Sequence, residues 1–396
     1  MEFTWRDRSL FVLFATGSLI VLTGAVIAPV LPEIIEQLQL DRSLAGYLVS
    51  THYLTVALFS PILGLLADRL GQVRVLVVSL ILYALFGMAG GLMNDFTPLL
   101  ITRGLVGAAS GGIAAASLGL LVRRYESAEA RAQAIAYVSS VLAIANIVYP
   151  ISAGLLGILG WRVSFLLYGL AIPFALLVLI AFQQPEDTTT SVKSLAAITG
   201  DTQGLQKVIA NPLTWQLFLT LCLTAATAYA IVINLPSHLK ATIGAGTAIN
   251  GIVLATQAIG SAAIAAFGVR QLTRRLGLIP ATALGFGIVA LVLTAIPQFD
   301  RLYLFLLAMG LLGIGFGIVL PNIYTLLSNI ASSELQSTVL AAGTGTNFLG
   351  QFLSPALFGF LLGDRPLEQV FYIAAIVPLI LGFCLMVTFT LSLSKR

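Results

Sequence analysis

Two side chains set inside long apolar stretches can carry charge, His52 and Arg103. An imidazole has an unperturbed pKa of about 6.5, so His52 is the one embedded group able to gain and lose a proton near neutrality. Arg103 stays cationic, and an ionisable group at membrane depth marks a functional site by default. The plainer roles are an interhelical hydrogen bond for His52 and snorkelling to the outer interface for Arg103. Asn146, Tyr229, Gln257, Asn322, Tyr324, Asn347 and Gln351 are neutral polar groups at similar depths. In hydrocarbon such groups face protein or a water-filled cavity, which makes them candidates for lining a substrate cavity, although half of them can be interhelical glue and no more. The chemistry open to this set is recognition and proton movement. There is no His-Glu-x-x-His and no buried carboxylate pair, so no enzyme, metal or cofactor is expected. Every Asp and Glu, including Glu33 and Glu36, lies at a loop or a span end. Neutral, lipophilic or anionic substrates therefore suit the interior better than multiply cationic ones. Cys222 and Cys384 sit far apart in apolar runs, as packing residues.

The elements that position these groups are membrane spans. With 396 residues, 58% hydrophobic, 9% charged and mean hydropathy +1.01, the chain departs from a soluble domain, whose charged fraction is about 25%. A span needs about 20 apolar residues. Such stretches occur near 8–31, 43–67, 74–93, 97–121, 132–157, 161–182, 213–236, 246–269, 277–297, 302–327, 336–362 and 367–391. The first lacks a small-residue cleavage site and is expected to remain in the mature protein. One long polar connection, Gln183 to Asn211, separates six spans from six. The net charge of +4 is spread over short loops and forms no nucleic-acid patch.

Orientation follows from the basic residues. Arg6, Arg8, Arg69, Arg74, Arg123, Arg124, Arg131, Lys193, Lys207, Arg270, Arg274, Arg275, Lys395 and Arg396 fall on one side; Arg42, Arg162, Lys240, Arg301 and Arg365 fall on the other. Both termini and the linker are therefore expected in the cytoplasm, with the chain in the cell (inner) membrane. The halves also repeat. A shift of about 206 lays Leu66-Ala67-Asp68-Arg69-Leu70-Gly71 on Leu272-Thr273-Arg274-Arg275-Leu276-Gly277; a shift of 205 lays Glu129, Pro150 and Gly154 on Glu334, Pro355 and Gly359, and His52 on Gln257.

Between spans two and three, Gly64-Leu65-Leu66-Ala67-Asp68-Arg69-Leu70-Gly71-Gln72-Val73-Arg74 reads as a short charged loop with glycines for a tight reversal. It resembles the signature loop of the major facilitator superfamily. Arg103-Gly104-Leu105-Val106-Gly107-Ala108-Ala109-Ser110-Gly111 is similar to that family's second motif, whose glycines allow close helix packing. Ala145 to Gly154, with Pro150, resembles the exporter motif; here Tyr149 stands for the first glycine and Ala153 for one of the later pair. Pro29-Val30-Leu31-Pro32 is similar to the end of span one in the twelve-span drug/proton antiporters.

That resemblance implies an all-α polytopic membrane protein, twelve transmembrane helices in two six-helix pseudo-symmetric bundles: residues 1–182, a cytoplasmic linker 183–212, and 213–396. It implies a secondary active transporter working by alternating access, with a site near the midplane between the halves. The expected activity is proton-coupled efflux of small amphipathic compounds or drugs by a monomer; the alternative is an uncoupled facilitator or a sugar or metabolite efflux carrier. By the same resemblance Gly64, Asp68, Arg69, Gly71 and Arg74 form a conformational latch. Asp68 would brace the start of span eleven, where Ser333 and Gln336 have cap-box spacing. Many proton-coupled relatives carry a carboxylate at the midplane. This chain has none, which weakens the antiporter reading; if transport is proton-coupled, His52 is the expected coupling group, acted on by Arg103 where the two spans bring it close, with Asp68 or Glu33 as the alternative. The basic-residue asymmetry predicts that Lys193→Cys stays unmodified by an impermeant thiol reagent in intact cells, and ready labelling there would invert the topology.

Overall fold

A computed structural model describes residues 8–124, 128–182, 202–332, 335–363 and 365–394. The linker residues 183–201, including Lys193, and the Ser333 of the expected cap box lie outside these. Among the described residues the main elements are twelve helices in succession, because hydrocarbon offers the backbone no water and a helix pairs its own amides. They are α1 (Arg8–Ala25), α2 (Arg42–Leu70), α3 (Gln72–Gly90), α4 (Phe96–Arg124), α5 (Ala128–Gly157), α6 (Ala171–Ala181), α7 (Pro212–Ile243), α8 (Thr247–Phe267), α9 (Leu278–Ala295), α10 (Leu302–Ile330), α11 (Gln336–Leu362) and α12 (Gln369–Ser394). The chain enters α6 through a short helix, Trp161–Ser164, and a 3-10 stretch, Phe165–Leu170. It leaves α1 through a 3-10 turn, Ala28–Val30, and a short helix, Leu31–Gln37. No strand occurs among the described residues.

Eleven of these spans are long and apolar enough to cross a membrane. The remaining helix, α11, has the length at 27 residues. Its polar residues Thr344, Thr346, Asn347, Gln351 and Ser354 hold it below that hydropathy. The connection before α7 contains a nine-residue helix, Thr202–Ala210, where the sequence suggested only a polar link. α7 then starts with Asn211 accepting from the Leu213 amide at 3.0 Å, with Pro212 behind it, and ends at Gly244 in the left-handed region. Those are the residue types that such ends favour.

The described residues form two compact units; the first takes those up to 182 with Gly246–Ile252, and the second takes the others. Each unit pairs its helices in the same way. In the first, α1 packs on α5, α3 on α6, and α4 on both α2 and α3. In the second, α7 packs on α11, and α9 on both α10 and α12. Glycines set the closest approaches. A β carbon added at Gly107 would strike Thr55 and the His52 backbone, and one at Gly111 would lie 3.0 Å from the Ser60 amide nitrogen. In the second unit Gly313 abuts the Gln257 carbonyl and Gly317 abuts Ser261. The 206-residue shift carries Gly107 onto Gly313 and Gly111 onto Gly317, so α10 repeats the packing face of α4.

Gly104 differs, since an added β carbon would make only an ordinary 3.8 Å contact with Thr55. Overpacking a rigid backbone contact costs about 1–3 kcal/mol. Gly107→Ala and Gly313→Ala are each expected to lower the thermal unfolding midpoint of the purified protein, whereas Gly104→Ala leaves it near wild type. Equal behaviour of all three would show that these contacts do not set helix spacing.

Candidate functional site

The first unit closes around Arg103. Its side chain is 1% exposed, which rules out snorkelling and also keeps it from serving as a fixed charge on a cavity wall. One guanidinium nitrogen donates to the Tyr168 hydroxyl at 2.6 Å, Nε donates to the Leu48 carbonyl at 3.3 Å, and the other terminal nitrogen donates to the Thr23 carbonyl. Thr23 is among the last four residues of α1, whose carbonyls lack an intrahelical donor. The negative end of the helix dipole lies there as well, and it favours a cation. Tyr168 also donates to Thr23 O at 3.1 Å, and its ring faces the guanidinium at 5.5 Å. The Thr23 hydroxyl donates to Tyr83, which itself donates to the Leu19 carbonyl at 2.7 Å. Residues of α1, α2, α3, α4 and the entry to α6 thus meet at one side chain.

His52 lies one helix away, 1% exposed, on the α2 backbone that Gly107 packs against. Arg103 is close enough to act on it electrostatically, and the Val49 carbonyl lies near the ring. The ring's nearest acceptor, the Val49 carbonyl, belongs to its own helix, and neither ring nitrogen bonds a described residue of another helix. Leaving a buried polar group unmatched costs about 1–3 kcal/mol, a loss that structure alone does not repay. The Tyr53 ring stacks at a tilt, 3.9 Å between centroids.

The charged stretch between spans two and three is helical almost throughout. α2 runs to Leu70 and α3 restarts at Gln72, leaving Gly71 alone to make the reversal. Its φ of +96° explains the glycine. Asp68 and Arg69 therefore sit in the last turn of α2, and Arg74 in the first turn of α3, instead of in a loop. The half-buried Asp68 accepts from Gln72 Nε2 at 3.2 Å, and Arg69 and Arg74 are exposed. Gly64 is sterically undemanding: an added β carbon meets Ala115 at 3.6 Å. At the far end of its presumed brace, α11 begins after Leu335 with no side-chain cap, and Gln336 turns back to the Ser328 carbonyl at 3.4 Å.

The neutral polar candidates divide. Asn347 and Gln351, one turn apart on α11, share a 2.6 Å hydrogen bond and are half-buried. Tyr324 is half-buried beside Gly343, Tyr229 is 9% exposed, and Gln257 is half-buried. Asn146 is exposed and bonds only its own helix, at Leu142 O. Asn322 does not line a cavity: it is 2% exposed and accepts from Thr273 in the connection between α8 and α9, at 3.2 Å. On α5, Pro150 and Gly154 lie against the start of α8. In the first unit Gly154 O accepts from Thr247 Oγ1 at 2.7 Å, and Gly251 fits against the Pro150 carbonyl. Asn250 Nδ2 reaches Pro29 O at 3.1 Å.

Two groups escaped the sequence reading. Tyr168 and Thr23 complete the Arg103 site, and no motif marks them. The α10 glycines were within reach, since the repeat shift applied to span four lands on them.

A bundle of long apolar helices with a few enclosed polar groups and a repeated half defines a multi-pass membrane carrier. The family model of the Major Facilitator Superfamily matches residues 13–355 and 217–396, and the chain belongs to that superfamily. It is 25% identical over 383 residues to the quinolone resistance protein NorA of Staphylococcus aureus (strain MRSA252), covering 93% of both chains. It is 24% identical over 375 residues to multidrug resistance protein 1 of Bacillus subtilis (strain 168), covering 91% of this chain and 90% of that one. Its fold resembles the crystal structure of a bacterial homolog to the human lysosomal transporter Spinster, in an inward-facing and occupied conformation. The TM-score is 0.81 at 18% identity, over 100% of this chain and 99% of that one.

A hydrogen bond to a charged group contributes about 1.5–3 kcal/mol. Arg103→Met, the residue that the repeat places at 309, is expected to lower the thermal midpoint markedly, and Tyr168→Phe should then add little in that background, because the pair is coupled. A wild-type midpoint in Arg103→Met with transport lost would assign the arginine to the cavity instead.

Proposed function

We propose that this protein exports small amphipathic, drug-like compounds across the cell membrane by alternating access of its two halves, working as a monomer with both termini in the cytoplasm. The similarity over nine-tenths of the chain to two proteins named for drug resistance carries the reading. The described carboxylates keep to loops and span ends, Glu33 among them in the last turns of the span Ser9–Gln37, which favours neutral or lipophilic cargo over multiply cationic cargo.

We infer that export is driven by protons and that His52 is the group that carries them. It is buried, makes no hydrogen bond to another described helix, and lies near the fixed positive charge of Arg103. A proton bound there interacts with that charge, so loading and release follow how closely the two groups approach and whether water reaches the ring. Asp68, at the α2 end, is the proposed latch that biases one conformation, an effect of the order of 0.3–2 kcal/mol if it acts at a helix terminus. Such a bias shifts a near-balanced equilibrium several-fold. The candidate cargo surface comprises Tyr229, Gln257, Tyr324, Asn347 and Gln351.

Proteoliposome flux tests the whole reading. The wild type is expected to move a fluorescent cationic or neutral dye uphill only when protons run the opposite way. His52→Gln, which installs the residue of the repeat position, should keep downhill flux and lose the pH-driven component. Asp68→Asn should slow both several-fold without loss of folded protein. Uphill transport by His52→Gln under a pH gradient would remove His52 from coupling, and gradient-independent wild-type flux would favour the facilitator reading.

A further inference from the structure

The connection between α8 and α9 has no role in the transport reading, yet it has the makings of a binding site. α8 ends at Phe267, Gly268 breaks the helix, and an eight-residue helix, Val269–Leu276, follows; Gly277, with φ +89°, hands the chain to α9 at Leu278. Two candidate spans end and begin at Phe267 and Leu278. The short helix is therefore fixed at the membrane boundary by both its covalent ends. Its half-buried face, Val269, Leu272 and Thr273, is tied down by the bond from Thr273 to Asn322.

The opposite face is open. Arg270, Gln271 and Arg274 share one side of the short helix, and with Phe267 at the end of α8 they line a cleft that Ala266 and Gly268 complete. Arg270, Gln271 and Arg274 are exposed, and neither arginine forms an ion pair with any described carboxylate. Phe267 is 86% exposed.

We propose that this cleft holds the phosphodiester of an anionic phospholipid in the adjoining leaflet. Residues four apart on a helix are neighbours, so two guanidinium forks converge on one anion. A soluble phosphate would satisfy the arginines but would leave the phenyl ring in water. A lipid answers both, with its headgroup on Arg270 and Arg274 and its glycerol and acyl carbons on Phe267. Basic residues facing an anionic leaflet each strengthen attachment. The inference depends on the placement of this helix at the membrane boundary and not on which compound is exported, so a negative flux experiment leaves it intact.

The test is lipid retention by the purified full-length protein in neutral detergent, counted by native mass spectrometry during titration with phosphatidylglycerol or phosphatidylcholine. Wild type should retain phosphatidylglycerol preferentially, and inorganic phosphate should not displace it. Arg270→Gln with Arg274→Gln should weaken that retention about 25-fold, about fivefold per arginine. Phe267→Ala should weaken it while leaving the charge in place. Equal retention of the two lipids by the wild type, undiminished retention by the double variant or by Phe267→Ala, or displacement by inorganic phosphate would each overturn the proposal. The wild-type comparison stands even if a variant fails to fold.

Discussion

A guanidinium sealed inside the first unit with no carboxylate beside it is the constraint around which that unit is arranged. Removing a cation from water costs several kcal/mol, and geometry must repay it. The repayment begins with the break after α1. α1 stops at Ala25, and the Thr23 carbonyl is left among acceptors without an intrahelical donor. Arg103 and Tyr168 supply what the backbone cannot. The end of α1 and the arginine buried in α4 are thus two parts of one accounting of hydrogen bonds.

Tyr168 sits over the α3 glycine Gly87, where an added β carbon would run into its ring, and its edge meets Tyr83 at 5.2 Å between centroids. Gly87 on α3 therefore does more than allow close backbones: it makes room for the Tyr168 ring whose hydroxyl helps satisfy the charge. Arg162, at the entry to α6, applies the same logic in a wetter place. It donates to the carbonyls of Gly91 and Met93 just past the end of α3, at 3.0 and 2.9 Å, and lies over Trp161.

How much of this was legible depended on the range of each interaction. Span number rests on local hydropathy and was legible along the chain, although Asn347 and Gln351 lower the signal in α11. Gly71 was legible because a reversal between two helices demands one residue with positive φ, but helix propagation carried Asp68 and Arg69 out of the loop assigned to them. The surroundings of Arg103 were not legible, since Thr23, Leu48 and Tyr168 are separated from it by 80, 55 and 65 residues. Asn322 misled for the same reason, because a polar residue in a span gives no sign of whether it faces a cavity or ties down the next connection.

The repeat turns these particulars into an argument about division of labour. Both halves pack one helix pair through the same glycine faces, Gly107 on the His52 backbone and Gly313 on the Gln257 backbone. On that common scaffold the first half carries an imidazole and a guanidinium, whereas the second carries Gln257 and the fully buried Met309. The second unit closes with an apolar core around Leu217, Phe286, Val319 and Leu385, and needs no network to seat a charge. It does bury an imidazole, His238, but packs it against the rings of Phe305 and Phe371, while Asn347 and Gln351 pair with each other on α11. The network around Arg103 is thereby confined to the first half, and substitutions on α11 leave its hydrogen bonds untouched.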